Sequence, residues 1–115
     1  MKLQTGTLLD FGDTLPAGRE RLTALFSSPA VRIAAIVSNE HRSPDGFWYD
    51  QHEDEWVAVI EGEATIAFAD QSMQVLKAGD WLVIPAHTRH RIEKTSERTI
   101  WLAIHVDVLK PAGNG

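Results

Sequence analysis

From Val31 to Val108 the chain alternates between short apolar runs and clusters of turn-forming residues. Arg32-Ile33-Ala34-Ala35-Ile36-Val37 is β-rich and stops at Ser38 to Gly46, which contains the turn set Ser43-Pro44-Asp45-Gly46. Trp56 to Ile60 ends at Glu61-Gly62 and is followed by Ala64 to Phe68. Asp70-Gln71 then turns the chain into Met73 to Leu76, and Lys77-Ala78-Gly79-Asp80 turns it again into Trp81 to Ile84. Arg89 to Lys94 and Thr99 to Val108 complete the series. Eight or so short strands at this spacing, with no long crossover helices, predict an all-β barrel or sandwich of antiparallel sheets. Upstream, Leu22, Leu25 and Phe26 fall at helical spacing within Ala17 to Phe26 and predict one short amphipathic helix ending near Ser27-Ser28-Pro29. The expected organisation is an arm and helix over residues 1–30, a barrel over 31–110 and a frayed tail over 111–115.

Several of these strands are apolar on both parities. Val57 and Val59 share one face with Glu55, while Trp56, Ala58 and Ile60 form the other. Both faces therefore need cover, from the N-terminal arm and helix, a second sheet or a partner subunit, and a homodimer is the preferred expectation.

Composition narrows the chemistry. The 115 residues suit one domain. The absence of cysteine excludes disulfides and thiolate metal sites, so any metal must take imidazole and carboxylate ligands. A formal net charge of −5, with Arg89-His90-Arg91 as the sole basic cluster, argues against nucleic acid as a partner. No apolar run approaches a membrane span and the N-terminus lacks a signal-peptide core, so a cytoplasmic protein is expected.

Candidate chemistry gathers in two places. The first is the acidic run Asp50, Glu53, Asp54 and Glu55 around His52. Glu53 and Asp54 suit a charged surface hairpin. Glu55 opens a strand whose same-parity neighbours are apolar, so its carboxylate points inward and needs a partner. The second is Gly79 to His90, a turn, a strand, a proline stop at Pro85 and a histidine that shares parity with Ile92. His87 suits a general acid–base at a pocket rim or a structural role. His105 lies on the last strand with Trp101 and Ala103, but Ile100, Leu102, Ile104 and Val106 form the more obvious core face. Trp48, Tyr49, Trp81 and Trp101 could line a pocket or fill the core.

Glu55, six residues, then Gly62 resembles the end of the first cupin motif, and Gly79, five residues, Pro85 and then His90 resembles the second. Phe47-Trp48-Tyr49-Asp50-Gln51, with Glu55-Trp56 and Pro85-Ala86-His87 downstream, is similar to a subgroup of small single-domain bacterial cupins. The resemblance implies a double-stranded β-helix, an antiparallel jelly-roll barrel holding a divalent ion on His, His, Glu and His. Here the pattern departs from the family's. Counted back from Glu55, the two leading histidine positions fall on Trp48 and Asp50 with the longer gap, or on Tyr49 and Gln51 with the shorter; counted forward from Gly46, they fall on His52 and Asp54. With the longer gap, Asp50 replaces the second histidine and His52 approaches from the loop. The implied metal set is then Asp50, His52, Glu55 and His90, suited to Mn²⁺, Fe²⁺, Zn²⁺ or Ni²⁺. His87 and Tyr49 are the candidate catalytic residues. The vacant alternative has Glu55 and His90 bonded to each other or to Gln51 and Tyr49.

The functional expectation is a small-molecule metalloenzyme of isomerase, lyase or dioxygenase type. The alternatives are a non-catalytic module that senses or stores a small ligand or metal, and a structural dimer with a relict site.

Overall fold

The computed structural model describes residues 1–12 and 15–109, so the tail expected over 111–115 lies outside the described residues. Eight strands run in chain order: β1 (Arg19–Ser27), β2 (Val31–Asn39), β3 (Asp54–Glu61), β4 (Glu63–Phe68), β5 (Met73–Lys77), β6 (Trp81–Ile84), β7 (His90–Thr95) and β8 (Thr99–Val106). They form a five-stranded sheet in the order β1-β2-β8-β3-β6 and a three-stranded sheet in the order β5-β4-β7. Every pairing is antiparallel. The seven strands from Val31 onward follow the predicted β-rich runs, and the turns fall where glycine and aspartate punctuate the sequence.

The first strand corrects the predicted helix: Arg19–Ser27 is extended and pairs with β2. A bulge between Ala24 and Phe26 explains the misleading pattern. Leu22 pairs with Ile36 before the bulge, and Phe26 pairs with Ile33 after it. The extra residue shifts the parity, so the spacing of Leu22, Leu25 and Phe26 imitates a helical stripe. The backbone donors and acceptors along the edge of β2 favour a strand at this position over the local preference.

The two sheets enclose a core of Val57, Val59, Ala64, Ile66, Leu76, Ile84, Ile92 and Trp101. Trp101 is buried and donates its indole N–H to Ser38 Oγ at 3.1 Å, which satisfies a polar atom that has no access to water. On the outside of the larger sheet Trp81 stacks on Trp56 with ring centroids 6.3 Å apart, and Trp81 and Val83 remain exposed. Among the described residues no helix is long and apolar enough to cross a membrane.

Gly62, between β3 and β4, allows the chain to change sheets. Its φ is +87°, and a Cβ there would stand 2.1 Å from the Arg98 carbonyl oxygen and 2.9 Å from Thr99 Cα. Strain and backbone collision act together. Gly62→Ala is expected to cost roughly 2–4 kcal/mol of stability, seen as a lower urea midpoint with an unchanged slope. A midpoint equal to that of the wild type would contradict this placement of the turn.

Candidate functional site

One row of paired residues crosses the larger sheet and carries most of the site's charge. Ile84 on β6 pairs with Glu55 on β3, Glu55 pairs with His105 on β8, and His105 pairs with Arg32 on β2. Side chains at directly paired positions share a sheet face, so this row points as a unit into the space between the sheets. There Glu55, His105 and Arg32 line a cavity of about 160 Å³ together with Glu20, Tyr49, Gln51 and His90. Val57, Ile66, Ile84, Ile92 and Trp101 form its apolar walls.

His90 reaches the same point from the opposite sheet. Its backbone bridges to Tyr49, with Tyr49 N–H donating to the His90 carbonyl at 2.7 Å and His90 N–H donating to the Tyr49 carbonyl at 3.1 Å. Its Nδ1 lies 2.7 Å from the Thr88 carbonyl oxygen, which can only accept, so Nδ1 carries the proton. Nε2 is thereby aimed at Glu55, 3.5 Å from Oε1. The other carboxylate oxygen, Oε2, lies 3.7 Å from His105 Nε2, a buried atom with no hydrogen-bond partner. Glu55 thus stands between two imidazoles, each facing a different oxygen. The Tyr49 ring stacks on His90 with centroids 5.3 Å apart.

Electrostatics follow from this packing. Burial pushes the His90 imidazole down, but the Glu55 carboxylate and the Thr88 carbonyl outweigh it, and the net displacement is upward. The Tyr49 phenol is pushed up by burial and by the charges of Glu20 and Glu55, so it stays a hydrogen-bond donor. Glu53 is held below the ordinary carboxylate range by the hydrogen bonds it accepts from Arg32.

The predicted site residues divide into two groups. Glu55, His90 and Tyr49 come together at the cavity. Asp50 and His87 do not line it: they pair with each other at 3.0 Å on the surface, Asp50 Oδ1 against His87 Nδ1. His52 is exposed and faces Asp107, with Nε2 3.4 Å from Oδ2. Of the counting registers, the shorter gap back from Glu55 corresponds to the cavity, since Tyr49 and Gln51 line it. The face of β8 expected to be the lesser core face, Trp101, Ala103 and His105, is the inward one. Glu53, expected on an exposed hairpin, is largely buried against Arg32. Arg32 itself went unnoticed, although it shares parity with Ile36, another cavity residue.

Two imidazoles and a carboxylate are suitable donors in kind for the divalent ion expected from the sequence. Their placement does not fit one. Each imidazole faces its own oxygen of Glu55, and among the described residues no group of three or more His, Asp or Glu side chains is arranged to hold a metal ion. The geometry is that of a carboxylate clasped by two rings.

Comparison with known proteins agrees with the barrel. The Cupin domain family matches residues 39–105, which is more than half of the chain, and the chain belongs to that family. The chain is 40% identical to a crystal structure from Ralstonia eutropha JMP134 named "putative mannose-6-phosphate isomerase", with a TM-score of 0.81 over 92% of this chain and 100% of that one. It is 22% identical to a cupin superfamily protein from Desulfitobacterium hafniense DCB-2, with a TM-score of 0.74 over 92% and 94% of the two chains; that likeness bears on the fold alone. An uncharacterized protein of Bacillus subtilis (strain 168), YdbB, is 43% identical over 76 residues, 64% of this chain and 60% of that relative's length.

The upward displacement of His90 fixes the sign of a pH dependence. A histidine that binds its proton more tightly when folded adds stability that is full below its unfolded value, about pH 6.5, and is lost as pH rises through the folded value. Urea unfolding of the wild type between pH 5.5 and pH 9 should show that loss, and His90→Asn should flatten it. Parallel profiles for the two proteins would show that His90 is not clasped by Glu55.

Proposed function

We propose that this cupin is a small-molecule enzyme that moves protons within a hydroxy-carbonyl substrate, with Glu55 as the base and the flanking imidazoles as its acid partners. The observation that carries this reading is the Glu55 carboxylate set between His90 Nε2 and His105 Nε2 in the lining of the cavity. Interconverting an aldose and a ketose requires removal of a proton from the carbon beside the carbonyl and its return to the neighbouring carbon. A carboxylate can do both, while an imidazole N–H or the Tyr49 hydroxyl gives a proton to the carbonyl oxygen. The donor left without a proton takes up the one that the neighbouring hydroxyl releases as it becomes the new carbonyl. The apolar walls limit water around the exchanging proton. The cavity is smaller than the roughly 300 Å³ at which drug-sized sites begin, which favours a substrate of a few carbons. The name of the Ralstonia structure, a sugar-phosphate isomerase, is consistent with this class of reaction.

A second reading is a binding module that uses the same cavity without turnover. It draws support from the stacked, hydrogen-bonded Tyr49–His90 wall, which is fixed enough to hold a ligand.

Incubating small aldoses and ketoses, free and phosphorylated, with the protein in deuterium oxide separates the two. The wild type should incorporate deuterium beside the carbonyl, and Glu55→Gln should lower kcat/KM at least about 100-fold. Saturable sugar binding with no exchange by the wild type would leave the binding module. Elemental analysis of protein purified without added metal should find less than one equivalent of any divalent ion. A full equivalent lost in both Glu55→Ala and His90→Ala would return these side chains to the role of metal ligands.

A further inference from the structure

Arg32 is the one permanent cation among the described residues that line the cavity, and its chemistry is only half used. Its Nε donates to Glu53 Oε2 at 3.1 Å and one Nη donates to Glu53 Oε1 at 2.5 Å. A guanidinium carries five N–H donors in a planar fork, so this pair leaves the outer edge of the fork open. That edge is accessible: the Arg32 side chain is 53% exposed, whereas Glu53 behind it is 11% exposed. A largely buried carboxylate therefore braces an arginine that lines the cavity and keeps much of its side chain exposed.

The row of paired residues sets the distance to the reacting groups. Arg32 is two strands from Glu55, with His105 between them, which places the two backbones about 10 Å apart. A short carbon chain with its carbonyl at Glu55 would reach Arg32 with its far end. Glu20 on β1 also lines the cavity, but it pairs with Ser38, six positions along β2 from Arg32, so this carboxylate belongs to the other end of the strand pair.

We propose that Arg32, braced by Glu53, binds an anionic group on the substrate, a phosphate or a carboxylate at the end remote from the reacting carbonyl. This inference rests on the cavity being a substrate site and adds the class of substrate it takes. Glu53 is a positioning residue: it holds the fork while occupying two donors that an incoming anion would otherwise share. Bidentate contact with a phosphate or carboxylate is the geometry for which a guanidinium is suited.

The two residues make opposite predictions. Inorganic phosphate and acetate are titrated at low ionic strength by calorimetry into the wild type, Arg32→Gln, Arg32→Lys, Glu53→Gln and Glu55→Gln, with thermal unfolding as a check that each is folded. Arg32→Gln should weaken binding of the preferred anion at least tenfold, and Arg32→Lys should recover part of it. Glu53→Gln should tighten binding several-fold, because the fork loses its competing carboxylate. If Arg32 only neutralises Glu53, Glu53→Gln leaves anion affinity unchanged, and that result overturns the proposal. Unaltered affinity in folded Arg32→Gln overturns it equally. Stronger binding of phosphate or of acetate identifies the anion. Glu55→Gln should retain anion binding while losing deuterium exchange, so failure of the anion site and failure of the proton-transfer reading are distinguishable.

Discussion

The arrangement of the site depends on one constraint: a carboxylate placed on the inward face of a small β barrel cannot stand alone. Glu55 shares its face with Val57 and Val59, which are buried in the core. An ion without partners there would cost several kcal/mol. Two strands answer this need, β8 with His105 directly beside Glu55 and β7 with His90 across the barrel. The fold brings together residues separated by 35 and 50 positions in the chain, and the register of three strands fixes which atoms meet.

That constraint also orders the surroundings. His90 can face Glu55 with Nε2 because Thr88 takes its Nδ1 proton, and Thr88 is positioned by the turn whose N–H reaches the Pro85 carbonyl at 3.2 Å. His87 in that turn has a φ of +61°, and its N–H donates to the Gln51 carbonyl at 2.7 Å, tying the turn to the strip that carries Tyr49. Asp54 reinforces the link, its Oδ1 accepting the Ala86 N–H at 2.8 Å. The surface pair Asp50–His87 lies on the outside of this same junction. Asp50, Asp54 and His87 thus tie together the two segments beside the site, while Tyr49, Gln51, Glu55 and His90 line the cavity itself.

Sequence pattern was informative wherever period and punctuation agreed. Val31 to Val108 contains strands bounded by glycine, aspartate and proline, and those strands are where the pattern puts them. Glu55 and His90 were legible because each is anchored to a strand and turn of fixed length. Glu55 stands near the start of the strand that leads to Gly62, and His90 comes after the strand and turn that run from Gly79. Asp50 and His52 were harder, because they precede Glu55 in an irregular stretch where one residue of slack reverses every side chain. β1 was misread because its bulge disguises a strand as a helix. His105 and Arg32 were obscured for a different reason: β8 and β2 are apolar on both faces, so parity alone does not tell inside from outside. Only the pairing of β2, β8 and β3 in one sheet reveals that Arg32, His105 and Glu55 form a row.

The central claim is that one carboxylate engages both rings at once. Nitrogen-resolved NMR of the imidazoles, comparing the wild type with Glu55→Gln, addresses it most directly. Both Nε2 resonances, those of His90 and His105, should move on substitution, while His90 Nδ1 keeps the signature of a proton donated to Thr88. A spectrum in which only one ring responds, or neither, would contradict the clasped arrangement and the acid–base role built on it.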